Sequence, residues 1–169
     1  MPHELDRRFL VLAASVFVLL AGAPNSAQQR GSDRHFPENK IPESAKAILE
    51  QADQFELLSL RPYPFVEGGF HQHEILGRTE IVDAKTRNSL VTALEKGVAE
   101  NHGSEMMCFN PRHGIHVTRH GKKVDFLICF ECLQVQIHSD LQGRFLVSHS
   151  PQPVFDKVLR DAGITLVDQ

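Results

Sequence analysis

A turn signal, His120-Gly121-Lys122-Lys123, separates two stretches of strand pattern and constrains the fold of this chain more than any other feature. Residues 115–119 precede the turn and residues 124–137 follow it, and both stretches are rich in β-branched, aliphatic and aromatic side chains. Gly121 supplies the positive φ that a primed turn requires. We therefore expect an antiparallel hairpin, whose two outer ends lie close together in space.

Short strands and amphipathic helices are predicted on both sides of the hairpin. Besides the two hairpin strands, the predicted strands cover residues 55–60, 75–82, 106–109 and 143–148. Apolar periodicity predicts one helix after Pro42, a longer helix capped by Asp83, and a last helix led by Pro151. The order αββαββββα indicates an α+β domain with a mainly antiparallel sheet of about five to six strands and helices packed on one face.

The three cysteines of the chain bracket this hairpin. Cys108 precedes it, and Cys129 and Cys132 form a C-x-x-C in the predicted second strand. With Gly121 and Lys122 as the turn, position 113 lies opposite position 130, beside the C-x-x-C. Neighbouring strands are about 5 Å apart, so the three sulfurs and His113 are expected to converge on one small volume.

The apolar pattern of the second hairpin strand changes phase at the C-x-x-C. One alternating set lies before it and another, of opposite parity, lies after it: Val124, Phe126, Ile128 and Phe130, then Leu133, Val135 and Ile137. A β-bulge near Glu131 would reconcile the two sets and turn both C-x-x-C sulfurs to the same face. A central strand buried on both faces would explain the pattern without a bulge.

The preferred interpretation of the cluster is a metal site. Cys108, His113, Cys129 and Cys132 would form a tetrahedral Cys₃His set for zinc, and a closed site of four ligands is structural. If His113 stays outside, a three-ligand site with an open position would bind copper or activate water.

Two alternatives stay open. The first is a thiol-disulfide redox protein that uses the Cys129-Cys132 pair, with Arg112 and His113 nearby to lower a thiol pKa. Against it, the C-x-x-C lies in strand pattern rather than at a helix N-terminus. The second is a non-enzymatic interaction domain stabilised by a disulfide, most simply from Cys108 to one of the other two.

Other histidines offer weaker patterns. His71-Gln72-His73 has the spacing of a metal pair, but it follows Gly68-Gly69 in a predicted loop, which favours solvated side chains. His116 lies on the hairpin face opposite Ile115, where a solvent-facing role is expected.

The N-terminus predicts export. Residues 9–23 form an uncharged apolar run after Arg7 and Arg8, as in a signal peptide, and the run is short for a membrane span. We predict that residues 1–27 are a signal peptide or an N-terminal anchor, residues 28–42 a flexible linker and residues 43–169 a single α+β domain. The location would be periplasmic, cell-envelope or secreted. No cysteine follows the apolar run, which argues against a lipoprotein.

Composition excludes some partner classes. A net charge of -3 and a pI near 6.3 give no reason to expect nucleic acid or an anionic membrane surface. Membrane contact is expected only through the N-terminal segment, if it is not cleaved. No catalytic or nucleotide-binding fingerprint is present, so the residues name no partner and leave open whether the protein is an enzyme.

One phrase of the chain is similar to a known group of proteins. Cys108-Phe109-x-Pro111-Arg112-His113-Gly114-Ile115, followed by Ile128-Cys129-Phe130-x-Cys132, resembles small exported bacterial proteins that have no assigned function. The resemblance covers about 25 residues. It implies export and a motif that acts as a unit, and it supplies no substrate, reaction or cofactor.

Overall fold

The computed structural model of the chain describes residues 39–140 and 142–167. The predicted leader, residues 1–27, and most of the predicted linker lie outside the described residues. Within them, three helices and six strands follow the order αββαββββα, and the strands form one antiparallel sheet. The predicted α+β class and element order are therefore confirmed.

The three helices lie close to their predicted positions. They are α1 (Glu43–Glu50), α2 (Ala84–Glu100) and α3 (Gln152–Asp161). Asp83 caps α2 as predicted, because its Oδ2 accepts a hydrogen bond of 2.7 Å from the backbone N–H of Thr86. Among the described residues, no helix is long and apolar enough to cross a membrane.

The six strands are arranged in the spatial order β2-β1-β3-β4-β5-β6. Their bounds are β1 (Gln54–Arg61), β2 (Glu74–Glu80), β3 (His113–Arg119), β4 (Lys122–Cys129), β5 (Gln134–His138) and β6 (Gly143–Leu146). Helix α2 connects β2, at one edge, to β3 in the interior of the sheet. Consecutive strands from β3 to β6 are neighbours, so this half of the sheet is a meander.

One face of the sheet packs against the helices. Alternate strand residues join helix residues in a single apolar core: Phe55, Leu57, Ile115, Val117, Val124, Phe126, Ile128, Val135 and Ile137 from the strands, and Ile48, Leu49, Leu90, Leu94, Phe155 and Leu159 from the helices. Each large side chain buried there contributes about 1.5–3 kcal/mol. We call this helix-covered face the inner face.

Two irregular segments cover the opposite, outer face. The 62–73 loop joins β1 to β2, and the 101–112 segment joins α2 to β3. Leu58, Leu60 and Leu127 are buried on this side, outside the main core. A side chain on Gly114 would lie 2.9 Å from Cε1 of Phe70, so glycine at this position lets Phe70 of the 62–73 loop pack directly on the sheet.

The central hairpin forms, with its turn one residue earlier than predicted. His120 and Gly121 are the two loop residues, both with positive φ (48° and 76°), and Arg119 pairs with Lys122. The register therefore shifts by two residues, and His113 lies opposite Ile128 instead of Phe130. A shift of two leaves every side chain on its predicted face.

The predicted long strand over 124–137 is wrong. It is two strands, β4 and β5, joined by a turn over residues 130–133, with Leu133 at a φ of 60°. The change of phase at the C-x-x-C comes from this turn, so the predicted β-bulge near Glu131 is also wrong. The predicted strand over 106–109 is absent from the described structure, and the extra strand after the hairpin keeps the element order unchanged.

Candidate functional site

The C-x-x-C lies at the turn between β4 and β5. Cys129 is the last residue of β4 and Cys132 is the third residue of the turn, which brings their Cα atoms to 5.1 Å. The two residues form a disulfide, a pairing that this Cα separation permits. Both are buried, with exposed fractions of 1% and 0%. Neither sulfur is therefore directly accessible to a large partner.

Cys108 brings a third sulfur to this disulfide. Its Sγ lies 3.5 Å from Sγ of Cys132, and the residue is an exposed free cysteine. The 101–112 segment holds it there, because the Met106 N–H donates to the Cys132 carbonyl (3.1 Å) and the Gln134 side chain donates to the Met106 carbonyl (2.6 Å). The predicted convergence of three sulfurs is thus present in the structure.

Backbone donors point at both sulfurs of the disulfide. The N–H of Asn110 lies 3.2 Å from Sγ of Cys132, and the N–H of Cys132 lies 3.0 Å from Sγ of Cys129. Hydrogen bonds of this kind favour the charged form of an acid. Whichever of the two sulfurs is released when the disulfide opens therefore has an N–H to stabilise its negative charge.

His113 does not join the sulfurs. It lies on the inner face, 3% exposed, and its Nε2 donates a 2.8 Å hydrogen bond to Oδ1 of Asp156 on α3. Its ring also contacts the rings of Phe130 and Phe155, with centroids 5.2 Å and 6.0 Å away. The histidine therefore links β3 to α3.

The described conformation does not fit the predicted zinc site. Two of its four ligands, Cys129 and Cys132, share a disulfide, and His113 is bonded to Asp156. In the part of the chain that the structure describes, no group of three or more His, Cys, Asp or Glu side chains is arranged to hold a metal ion. The Cys₃His zinc site stays a prediction about another state of the cysteines.

Arg112 forms an ion pair with a residue of the C-x-x-C. Its Nη1 forms an ion pair with Oε2 of Glu131, which lies between Cys129 and Cys132 in the sequence. The Arg112 carbonyl also accepts a hydrogen bond of 2.9 Å from the N–H of Leu60. Arg112 therefore ties the 101–112 segment to the turn, and its role as a cation near a thiol stays a prediction.

A second group of titratable side chains lies on the outer face, and sequence analysis missed it. Asp125 accepts hydrogen bonds from Nε2 of His71 (2.8 Å) and Nδ1 of His116 (2.5 Å). The ring of His138 stacks on that of His71, with centroids 4.1 Å apart. We call these four residues the histidine cluster. The hairpin register was the available signal, since His116, Asp125 and His138 are cross-strand partners on three adjacent strands.

Burial acts on two of the outer-face histidines. Desolvation lowers the pKa of His138, and the neighbouring charge of His71 lowers it further, against an opposing effect of Asp125. Desolvation also lowers the pKa of His73, whose Nδ1 bonds the Pro62 carbonyl at 3.2 Å. Both rings therefore favour the neutral form in the folded protein.

A cavity bounded by described residues is separate from both groups. Its volume is about 1020 Å³, and it lies where the start of α1, the end of α2 and β6 meet. Its lining includes Lys46, Glu95 and Arg144, and it includes neither the cysteines nor the histidine cluster. The chemistry described above therefore does not depend on this cavity.

Comparisons with known proteins leave the assignment to the residues themselves. No protein-family model matches the chain, and no curated protein matches it significantly. Among solved structures, the chain is similar to a protein described as "Putative Lipoprotein from Clostridium perfringens", with a TM-score of 0.42 and 9% identity. The match covers 69% of this chain and 91% of that chain. At this level the similarity carries no argument about function.

Proposed function

We propose that this protein is an exported thiol-disulfide exchange domain. Its exposed thiol would be Cys108, and its redox-active bond the buried Cys129–Cys132 disulfide. One observation carries the proposal: the Sγ of Cys108 is 3.5 Å from that of Cys132, and Cys108 alone of the three cysteines is exposed. Cysteine pairs persist as disulfides outside the cytoplasm, which agrees with the predicted leader.

Exchange would begin within the protein. The Cys108 thiolate attacks Sγ of Cys132, a Cys108–Cys132 bond forms, and Cys129 leaves as a thiolate. This step needs no oxidant, because one disulfide replaces another. The Cys132 N–H, 3.0 Å from Sγ of Cys129, stabilises the leaving thiolate. The disulfide has then moved to the one exposed cysteine.

A partner with two thiols would complete the reaction. Its first thiolate attacks Sγ of Cys108, and Cys132 leaves as a thiolate that the Asn110 N–H stabilises. The partner's second thiolate then attacks the partner sulfur of the mixed disulfide with Cys108, and Cys108 leaves as a thiolate. Two electrons pass to the protein, the partner gains a disulfide, and its two thiol protons go to Cys129 and Cys132. The reverse sequence reduces a partner disulfide.

The test measures how fast a small dithiol reduces the buried disulfide. Because the bond is reached through Cys108, we expect Cys108→Ser to slow its reduction by about tenfold or more. Met107→Ser is the matched control, since Met107 is an adjacent, fully exposed residue, and it should keep the wild-type rate. Equal rates for Cys108→Ser and the wild type would overturn the proposal and leave a structural disulfide.

A second measurement separates exchange from metal binding. Fully reduced protein is treated with glutathione disulfide, and peptide mapping locates the first glutathione adduct, which we expect on Cys108. The reduced protein is also analysed for zinc. A 1:1 zinc complex that forms with loss of the His113–Asp156 bond would instead favour the structural Cys₃His site.

A further inference from the structure

The 62–73 loop is held on the outer face by few contacts. Paired backbone hydrogen bonds between Phe70 and His73 (2.9 and 3.0 Å) close its tip, and the Phe70 ring packs on Gly114. Beneath it lie Leu60 and Leu127, which are buried but outside the main core. Release of the loop would uncover these residues without opening the helix-covered face.

The tip of the loop has a strained backbone. His71 and Gln72 are consecutive non-glycine residues with positive φ, 50° and 72°. Such conformations persist only where surrounding contacts hold them. The His71 side chain donates a hydrogen bond to Asp125 and stacks on His138. It also meets the Phe70 ring edge-on, with the two ring centroids 4.9 Å apart. The loop therefore depends on the histidine cluster.

The cluster has three imidazoles and one carboxylate. Asp125 uses one oxygen for His71 and the other for His116, so it already serves both donors. His138 has no such partner: its Nε2 is buried without a hydrogen bond. Other charged groups on this face are paired or exposed: Glu56 beside His116 pairs with Arg78 at 3.8 Å, Arg144 opposite Gln136 pairs with Glu105 at 3.0 Å, and Lys123 and Glu80 are exposed.

We propose that the histidine cluster is a pH-sensitive latch that holds the 62–73 loop closed near neutral pH and releases it in acid. Protonation of His138 places a positive charge on a ring whose centroid lies 4.1 Å from that of His71, and the charge of His71 opposes it, while the two oxygens of Asp125 already bond His71 and His116. Release of the loop separates His71 from His138 and removes this repulsion from a protonated His138. Acid therefore favours the open loop, and this inference does not depend on thiol exchange.

The direction of the effect follows from the histidine whose pKa is depressed. His138 has a lowered pKa in the closed form because of burial and then the charge of His71, and 6.5 is the ordinary imidazole value. The open form binds the proton more tightly, so the closed loop is fully stable above pH 6.5 and loses stability as pH falls below it. The buried His73, at the end of the loop, shifts in the same direction.

Hydrogen exchange of the Phe70 and His73 amides tests the latch. After correction for the intrinsic pH dependence, we expect their protection to fall by about tenfold between pH 7.5 and pH 5. His138→Phe keeps a stacked ring that does not titrate and should hold the protection within about twofold. The exposed His102→Ala is the matched control and should behave as the wild type.

Two results would overturn the latch. One is equal loss of protection in His138→Phe and the wild type. The other is an equal loss at Ile115 and Val124 in the central hairpin, which would indicate global acid unfolding.

A measurement on the unmodified protein keeps the test independent of the variant's folding. The midpoint of the His138 ring titration, by NMR, should lie below 6.5 and coincide with the loss of Phe70 protection; separate midpoints would contradict the proposal.

Discussion

Alanine at position 114 tests how tightly the 62–73 loop packs on the sheet. The new Cβ would lie 2.9 Å from Cε1 of Phe70 and 3.2 Å from Cδ1 of Leu60. The first distance is about 0.5–1 Å shorter than an ordinary carbon–carbon contact. Gly114 is not one of the glycines with a positive φ, so the substitution introduces a steric conflict without backbone strain.

The size of the effect follows from two opposing contributions. Overpacking costs about 1–3 kcal/mol. Replacement of glycine within a strand returns about 0.5–1 kcal/mol of the conformational entropy that glycine loses on folding. The difference is about 0–2.5 kcal/mol, and we therefore expect Gly114→Ala to lower the free energy of unfolding by about 1 kcal/mol. With a urea m-value of about 2 kcal/mol/M, the unfolding midpoint would fall by about 0.5 M.

A double-mutant cycle assigns this cost to Phe70. Phe70→Leu keeps an apolar side chain and removes the ring atom nearest to the new methyl group. In that background Gly114→Ala should cost about 1 kcal/mol less than in the wild type. Urea unfolding of the four proteins gives the coupling energy directly. A coupling energy near zero would refute the packing of the loop on Gly114.

Two further predictions concern the helix-covered face and the acid range. Phe155→Ala, which removes a fully buried ring that contacts His113 and Phe130, should lower the free energy of unfolding by about 3–5 kcal/mol, measured by urea unfolding. Wild-type stability should fall from pH 6.5 towards pH 5, because His73 and His138 have lowered pKa values and bind protons more readily when unfolded. A urea midpoint that is constant over this range would contradict the second prediction.

The helices and the central hairpin could be predicted because their signals are local. An apolar period marks each helix, and Asp83 offers a cap whose partner is three residues away. The hairpin turn was displaced by one residue because His120, not Lys122, shares the positive φ with Gly121. Histidine is one of the residues that adopt this conformation more readily than most, so the sequence alone left both choices available.

The turn at the C-x-x-C could not be predicted in the same way. Residues 130–133 contain no glycine, proline, asparagine or aspartate, and the positive φ falls on Leu133, a poor residue for it. The disulfide and the hydrogen bonds from the 101–112 segment hold this turn in place. The change of apolar phase at the C-x-x-C was the sequence signal for this turn, and a β-bulge explained the same change equally well.

The environment of His113 depends on contacts distant in sequence. His113 was expected beside the sulfurs because the hairpin brings it to the same end of the sheet. Its partner, Asp156, is 43 residues away on α3, and only the docking of that helix on the inner face reveals the bond. The same docking places the His113 ring against Phe155. Docking of α3 thus gives His113 a partner other than the sulfurs in this conformation, while the three sulfurs converge as predicted.

The two faces of the sheet have different physical roles. The inner face joins three helices in one continuous apolar core, so moving any of them would expose large buried side chains such as Phe126 and Phe155. The outer face is covered by two segments that bury only a few apolar residues. Either segment can move at a much smaller cost, since the free energy of opening scales with the apolar area exposed. The 101–112 segment covers the disulfide, and the histidine cluster joins the 62–73 loop to the sheet, so the proposed exchange and the proposed latch both involve movable parts of the outer face.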